Sequence, residues 1–219
     1  MSTSSIDILI VARRIANHAK NAGILSENGS PNIKRPICNH LGAVLADAIL
    51  QAGLNYTSVV KPRVLRILSE YSGYNTASSL KLIVSNRKTD SFLNWSHPEK
   101  INRFEGLVHF LYKNDIEDVN ELRVNLASEK FCRDLQGLNG IGPKTVDYMA
   151  CLVGMDSIDV DRHVRTFAKK VGIENNNYDF LKASFCCAAD LLSVPRREFD
   201  SWLWRSATIS KNAQLEIVF

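Results

Sequence analysis

The chain has 219 residues, 45% of them hydrophobic and 23% charged, with a formal charge of +4 and a pI near 8.8. This balance excludes a disordered chain, and the length admits one large domain or two small lobes around a sizeable core. The slight basic excess favours a polyanionic partner, while five cysteines with no Cys-x-x-Cys pair, at 38, 132, 151, 186 and 187, argue against a zinc ribbon and a disulfide framework.

At the N-terminus the apolar stretch runs only from Ile6 to Ala12, with polar residues before it and two arginines after it. That is not the pattern of a secretory signal, and no apolar run approaches the length of a membrane span, so the expectation is a soluble intracellular protein, cytoplasmic, nucleoid-associated or nuclear. Apolar residues recur three and four apart almost throughout, which predicts an all-α protein. The predicted helices cover 6–22, 38–51, 59–71, 77–84, 98–113, 119–127, 129–136, 143–153, 162–171, 178–192 and 195–207. Breakers separate them at 29–31, Gly53, 72–75, 137–142 and 175–177, and the most loop-like stretch is 27–36.

The sharpest feature is LQGLNGIGPKTVDYMACL, beginning at Leu135. A helix stops, a glycine-rich turn follows, and Pro143 opens a second helix at a position where its missing N–H is no loss. Gly140 and Gly142 bring the main chain close to a ligand without intervening side chains, so Asn139 to Gly142 present backbone amides at a helix N-terminus, a site for an anion. Lys144 and Thr145 flank it, and Leu138 and Ile141 face inward to tie the helices together. With Lys144 adjacent, the expected anion is a DNA phosphate, contacted without regard to base sequence. A simple helix-turn-helix bend is the plainer alternative.

Downstream, in IDVDRHVRTFAKKVG, an apolar stretch ends at Val160-Asp161 and a helix begins at Arg162, so Asp161 follows Lys144 by 17 residues. Asp161 suits an N-cap, and a capping carboxylate stays ionised. His163 suits a partly buried helix position with a structural hydrogen bond.

The run Leu-x-Gly-Ile-Gly-x-Lys-Thr together with Val160, Asp161 and His163 resembles the helix-hairpin-helix DNA glycosylase superfamily, which includes endonuclease III and the 8-oxoguanine DNA glycosylases. The resemblance is strongest over 135–167 and weakens toward both ends. It implies a six-helix barrel over 38–154 that ends in the hairpin, a second lobe from 1–37 and 155–219, and a lesion-binding cleft between them. It further implies a base-excision DNA glycosylase with abasic-site lyase activity. Lys144 would attack C1′, and Asp161 would stabilise the positive charge on the sugar. Leu138, Asn139, Gly140, Ile141, Gly142 and Thr145 would lie on DNA.

Base excision requires the nucleotide to leave the duplex and something to fill the gap. The segment LADAILQAGLNYTSVVKPRVLRIL resembles the family's early helix and turn, which makes Gln51 the candidate wedge, with Asn55 and Tyr56 in the same turn. A polar helix end at the surface is the alternative. Trp202, Trp204 and Phe219 are candidates for stacking on a base or for the core.

The four closely spaced C-terminal cysteines of the iron-sulfur members are missing, and adjacent Cys186 and Cys187 read as small core residues. The expectation is a monomer with no cofactor and no metal, acting on double-stranded DNA that carries a damaged base or abasic site. A lysine nucleophile without a cluster resembles the 8-oxoguanine glycosylases and makes that lesion the first candidate. Glycosylases for oxidised pyrimidines or mismatched bases, and a catalytically silent DNA-binding module, are the alternatives.

Overall fold

A computed structural model describes residues 5–25 and 36–216, with backbone alone from 208 to 216. The chain is all-α, and no β-strand occurs among the described residues. It divides into two compact units, one formed by Met1–Pro36 and Asp156–Phe219, the other by Ile37–Met155. No helix among the described residues is long and apolar enough to cross a membrane. The loop reading for 27–36, with its breaker at 29–31, lies almost wholly outside the described residues, as does Phe219.

The unit Ile37–Met155 is built around α2, Leu41–Leu50, all ten of whose residues are buried. Its sequence LGAVLADAIL explains this: it carries almost no polar face, so it must be covered on every side. The neighbours that cover it are α3 (Lys61–Glu70), α4 (Ala77–Ser85), α6 (Pro98–Lys113) and α9 (Pro143–Leu152). Phe92 and Leu93 of α5 (Thr89–Leu93) complete the same core. The short helices α7 (Val119–Asn125) and α8 (Glu129–Gln136) add Leu122, Phe131 and Leu135.

The other unit places α1 (Ser5–Asn21) against α11 (Tyr178–Leu191), while α12 (Arg196–Glu216) packs on α10 (Arg162–Lys170) and α11. Its core gathers Ile15, Phe185 and Phe199, and Trp202 stacks on Phe199 with ring centroids 6.1 Å apart. Trp202 is therefore a core residue. Trp204 lies edge-on to His163 at 6.4 Å.

Local signals locate most helix ends. Ser128, Asp118 and Asn177 each cap the helix that follows them, as their short polar side chains predict. Three expectations are corrected. The helix over 38–51 starts only at Leu41, because His40 stays extended and its Nδ1 accepts the Ala43 N–H as N-cap. The helix over 59–71 opens instead with a π-helical segment, Tyr56–Val60, in which Val60 N–H donates to the Asn55 carbonyl at 3.2 Å. Pro62 has no N–H to continue an ordinary helical ladder back to Ser58, and the wider turn accommodates that loss. The third correction is at the C-terminus, where α12 continues to Glu216 rather than stopping near 207.

Candidate functional site

The hairpin joins α8 to α9. Leu138 N–H donates back to Leu135 O at 3.0 Å and Ile141 N–H to Leu138 O at 3.1 Å, closing two consecutive tight turns. Gly140 sits at φ +74°, where a β-carbon is strained, and Gly142 is the extended N-cap of α9, with Pro143 in the first turn. Open space surrounds the missing Cβ of Gly142, so nothing of this chain crowds the main chain there. Ile141 is buried at 3% exposure and Leu138 packs against the same core, which anchors the turn from below. Asn139 and Gly140 are exposed, whereas Thr145 is buried.

Lys144 occupies the second position of α9 and is half-buried. Its Nζ donates to Gln51 Oε1 at 2.9 Å, so the structure joins two residues 93 positions apart. The ammonium settles which way the Gln51 amide points, because the opposite rotamer would set two donors against each other. Gln51 is thus the C-cap residue of α2 and a direct partner of Lys144, and its Nε2 is buried without a hydrogen-bond partner. Asn55 points elsewhere: its Oδ1 accepts the Ser58 N–H at 3.0 Å and starts the π-helical segment.

Sequence reasoning passed over two cations on α6. Lys100 Nζ donates to the Ile49 carbonyl at 2.6 Å and the Ala52 carbonyl at 2.7 Å, closing the C-terminal end of α2. Burial, then the charges of Arg103 and Lys144, push its amine down from 10.5 to about 8, against the pull of Glu99. Arg103, one turn further along, lies in the space beside Gly140 and leaves its Nε buried without a partner. Their spacing of three on one helix was the available signal, since i and i+3 share a face. The hairpin and the end of α2 therefore gather three cations, Lys100, Arg103 and Lys144, within the unit Ile37–Met155.

Asp161 belongs to the other unit. It caps α10, its Oδ1 accepting His163 N–H at 2.6 Å and Val164 N–H at 3.0 Å, and its side chain is 19% exposed. One oxygen is thereby committed to the helix. His163 is buried, with Nε2 4.0 Å from Asp161 Oδ2 and 3.3 Å from the Arg162 Nε that donates to it. Among the described residues no group of three or more His, Cys, Asp or Glu side chains is arranged to hold a metal ion.

No family model, no curated protein and no solved structure matches this chain.

Proposed function

We propose that this protein is a base-excision DNA glycosylase with abasic-site lyase activity, built as a six-helix barrel with a helix-hairpin-helix and a second helical lobe. The observation that carries the reading is the Lys144 amine, half-buried beside a glycine-rich helix N-terminus and held on Gln51 at 2.9 Å. A lysine serving only as a phosphate contact has no need of a fixed partner, whereas a nucleophile gains from being held. The amides of Asn139, Gly140 and Gly142, with Lys100 and Arg103 close by, favour a DNA phosphate at the turn, while the Ile141 N–H is used by the turn itself.

In the proposed reaction Lys144, once deprotonated, attacks C1′ of the extruded nucleotide. The C1′–N bond breaks and the base leaves with its electron pair, taking up a proton. Ring opening gives a Schiff base between Nζ and C1′. Loss of a C2′ proton then expels the 3′ phosphate by β-elimination. Asp161 stabilises the positive charge that develops on the sugar, and a capping carboxylate with one oxygen uncommitted to the helix suits that role. An oxidised purine, 8-oxoguanine first, is the substrate we propose.

The test is borohydride reduction of wild type and Lys144→Gln on duplexes with an abasic site or 8-oxoguanine. A covalent complex on both substrates, absent for the variant, supports enzyme and lesion together. Trapping on abasic DNA alone keeps the lyase and overturns the lesion. Folded wild-type protein that binds DNA and traps neither overturns the lysine mechanism in favour of a silent binding module or a monofunctional enzyme.

A further inference from the structure

Lys144 is not the only residue of α9 tied to α2. One turn further along, Tyr148 donates its hydroxyl to Asp47 Oδ1 at 3.1 Å, just as Lys144 donates to Gln51 at 2.9 Å. Asp47 and Gln51 are themselves one turn apart, and Gln51 N–H donates to the Asp47 carbonyl at 3.0 Å. The pairs 51 with 144 and 47 with 148 run in opposite senses, so α2 and α9 meet in antiparallel register at two rungs spaced by a turn.

Asp47 is the single charged residue of α2 and is only 4% exposed. Tyr56, from the π-helical segment, donates to its other oxygen at 3.4 Å. A buried carboxylate is costly unless donors meet it, and an alanine or leucine would pack this helix without that cost. Its two phenol partners come from different elements, which gives Asp47 what an apolar residue lacks: a directional constraint on α9. Lysine carries its amine on a flexible stem, so its position depends on the helix that bears it and on the acceptor that receives it.

We propose that Asp47 is a positioning residue, which with Tyr148 and Tyr56 locks α9 onto α2 and thereby sets the place of the Lys144 amine on Gln51. Lys100 supports the same arrangement by closing the end of α2 that carries Gln51. The consequence for chemistry rests on the reading of Lys144 as nucleophile; the positioning itself does not.

The experiment therefore uses two readouts on the full chain, with Tyr148→Phe as the main variant and Asp47→Asn, which keeps an acceptor, as the conservative one. Without DNA, the protein is treated with acetic anhydride, and modification of Lys144 is compared with that of the exposed Lys113 and Lys130. Tyr148→Phe is expected to raise the relative rate at Lys144 about fivefold by freeing the amine, with Asp47→Asn nearer wild type. An unchanged rate overturns the proposal.

With abasic duplex, the single-turnover trapping rate of Tyr148→Phe is expected to fall about tenfold while Kd stays within about twofold. A change in Kd with the trapping rate retained overturns the proposal. Wild type that never traps, although Tyr148→Phe still frees Lys144, sinks the nucleophile reading and leaves the positioning standing. Wild type that traps, with both readouts unmoved in the variant, does the reverse.

Discussion

Arg103 lies where a side chain on Gly140 would have to go: a Cβ built there would stand 2.6 Å from Arg103 Cζ. Two costs follow for Gly140→Ala. The guanidinium is the far end of a flexible side chain and can swing aside, but the backbone at φ +74° leaves a β-carbon strained by about 1–2 kcal/mol. Gly140→Ala is expected to lose about that much in urea unfolding, and Arg103→Ala should not restore it. Full restoration by Arg103→Ala would show that the clash, not the backbone, is the source.

Two glycines inside helices are expected to respond with opposite signs. At Gly42 of α2, a Cβ would lie 2.9 Å from the Tyr74 carbonyl and 2.9 Å from Phe92 Cζ. The carbonyl belongs to the backbone and cannot turn away, so a packing cost of about 1–3 kcal/mol exceeds the gain of about 1 kcal/mol in helix propensity. Gly106 of α6 has nothing within 4 Å of that position. Gly106→Ala should raise the thermal midpoint and Gly42→Ala should lower it; shifts in the same direction would refute the packing argument.

Asp161 has a structural duty and a proposed chemical one, and two substitutions separate them. Asp161→Ala removes the acceptor of the His163 and Val164 amides and is expected to cost about 1 kcal/mol of stability. Asparagine caps nearly as well, so Asp161→Asn should unfold like wild type. Both should lose on the order of 10² in single-turnover excision, because both lack the charge. An Asn variant that excises at the wild-type rate would remove the carboxylate from the chemistry.

Lys100 supplies a pH dependence of stability with a definite sign. Its amine titrates at about 8 in the folded protein against 10.5 as the ordinary value. Between these values the unfolded chain binds the extra proton, so stability rises with pH across that window and this contribution is flat below it. Lys100→Met lacks the group. The stability of wild type relative to Lys100→Met, from urea midpoints taken across the window, should increase as pH rises. A constant difference would mean that the amine is not held down by its surroundings.

Much of the helical outline was legible in the sequence because it is governed by neighbours along the chain. Periodicity, Pro98 and Pro143 in first turns, and the caps Asp118 and Ser128 place α6, the start of α7, α8 and the start of α9 where the sequence predicts them. Helix α5, Thr89–Leu93, was missed because five residues are too few to show a period, and its two buried apolar residues, Phe92 and Leu93, are recruited by the core rather than by propensity.

By itself the sequence determined the all-α class, the hairpin's turn chemistry at Gly140, Gly142 and Pro143, and the capping of α10 by Asp161. Each rests on backbone preferences of a few consecutive residues. Only the tertiary structure decided that Lys144 meets Gln51, that Asp47 receives Tyr148 and Tyr56, and that Lys100 closes α2. The separations in sequence reach 93 residues for Lys144 with Gln51 and 101 for Tyr148 with Asp47. No local preference specifies such pairs: they arise when α2, too apolar to face water on any side, is enclosed by its neighbours, and the register of that packing determines which polar side chains meet.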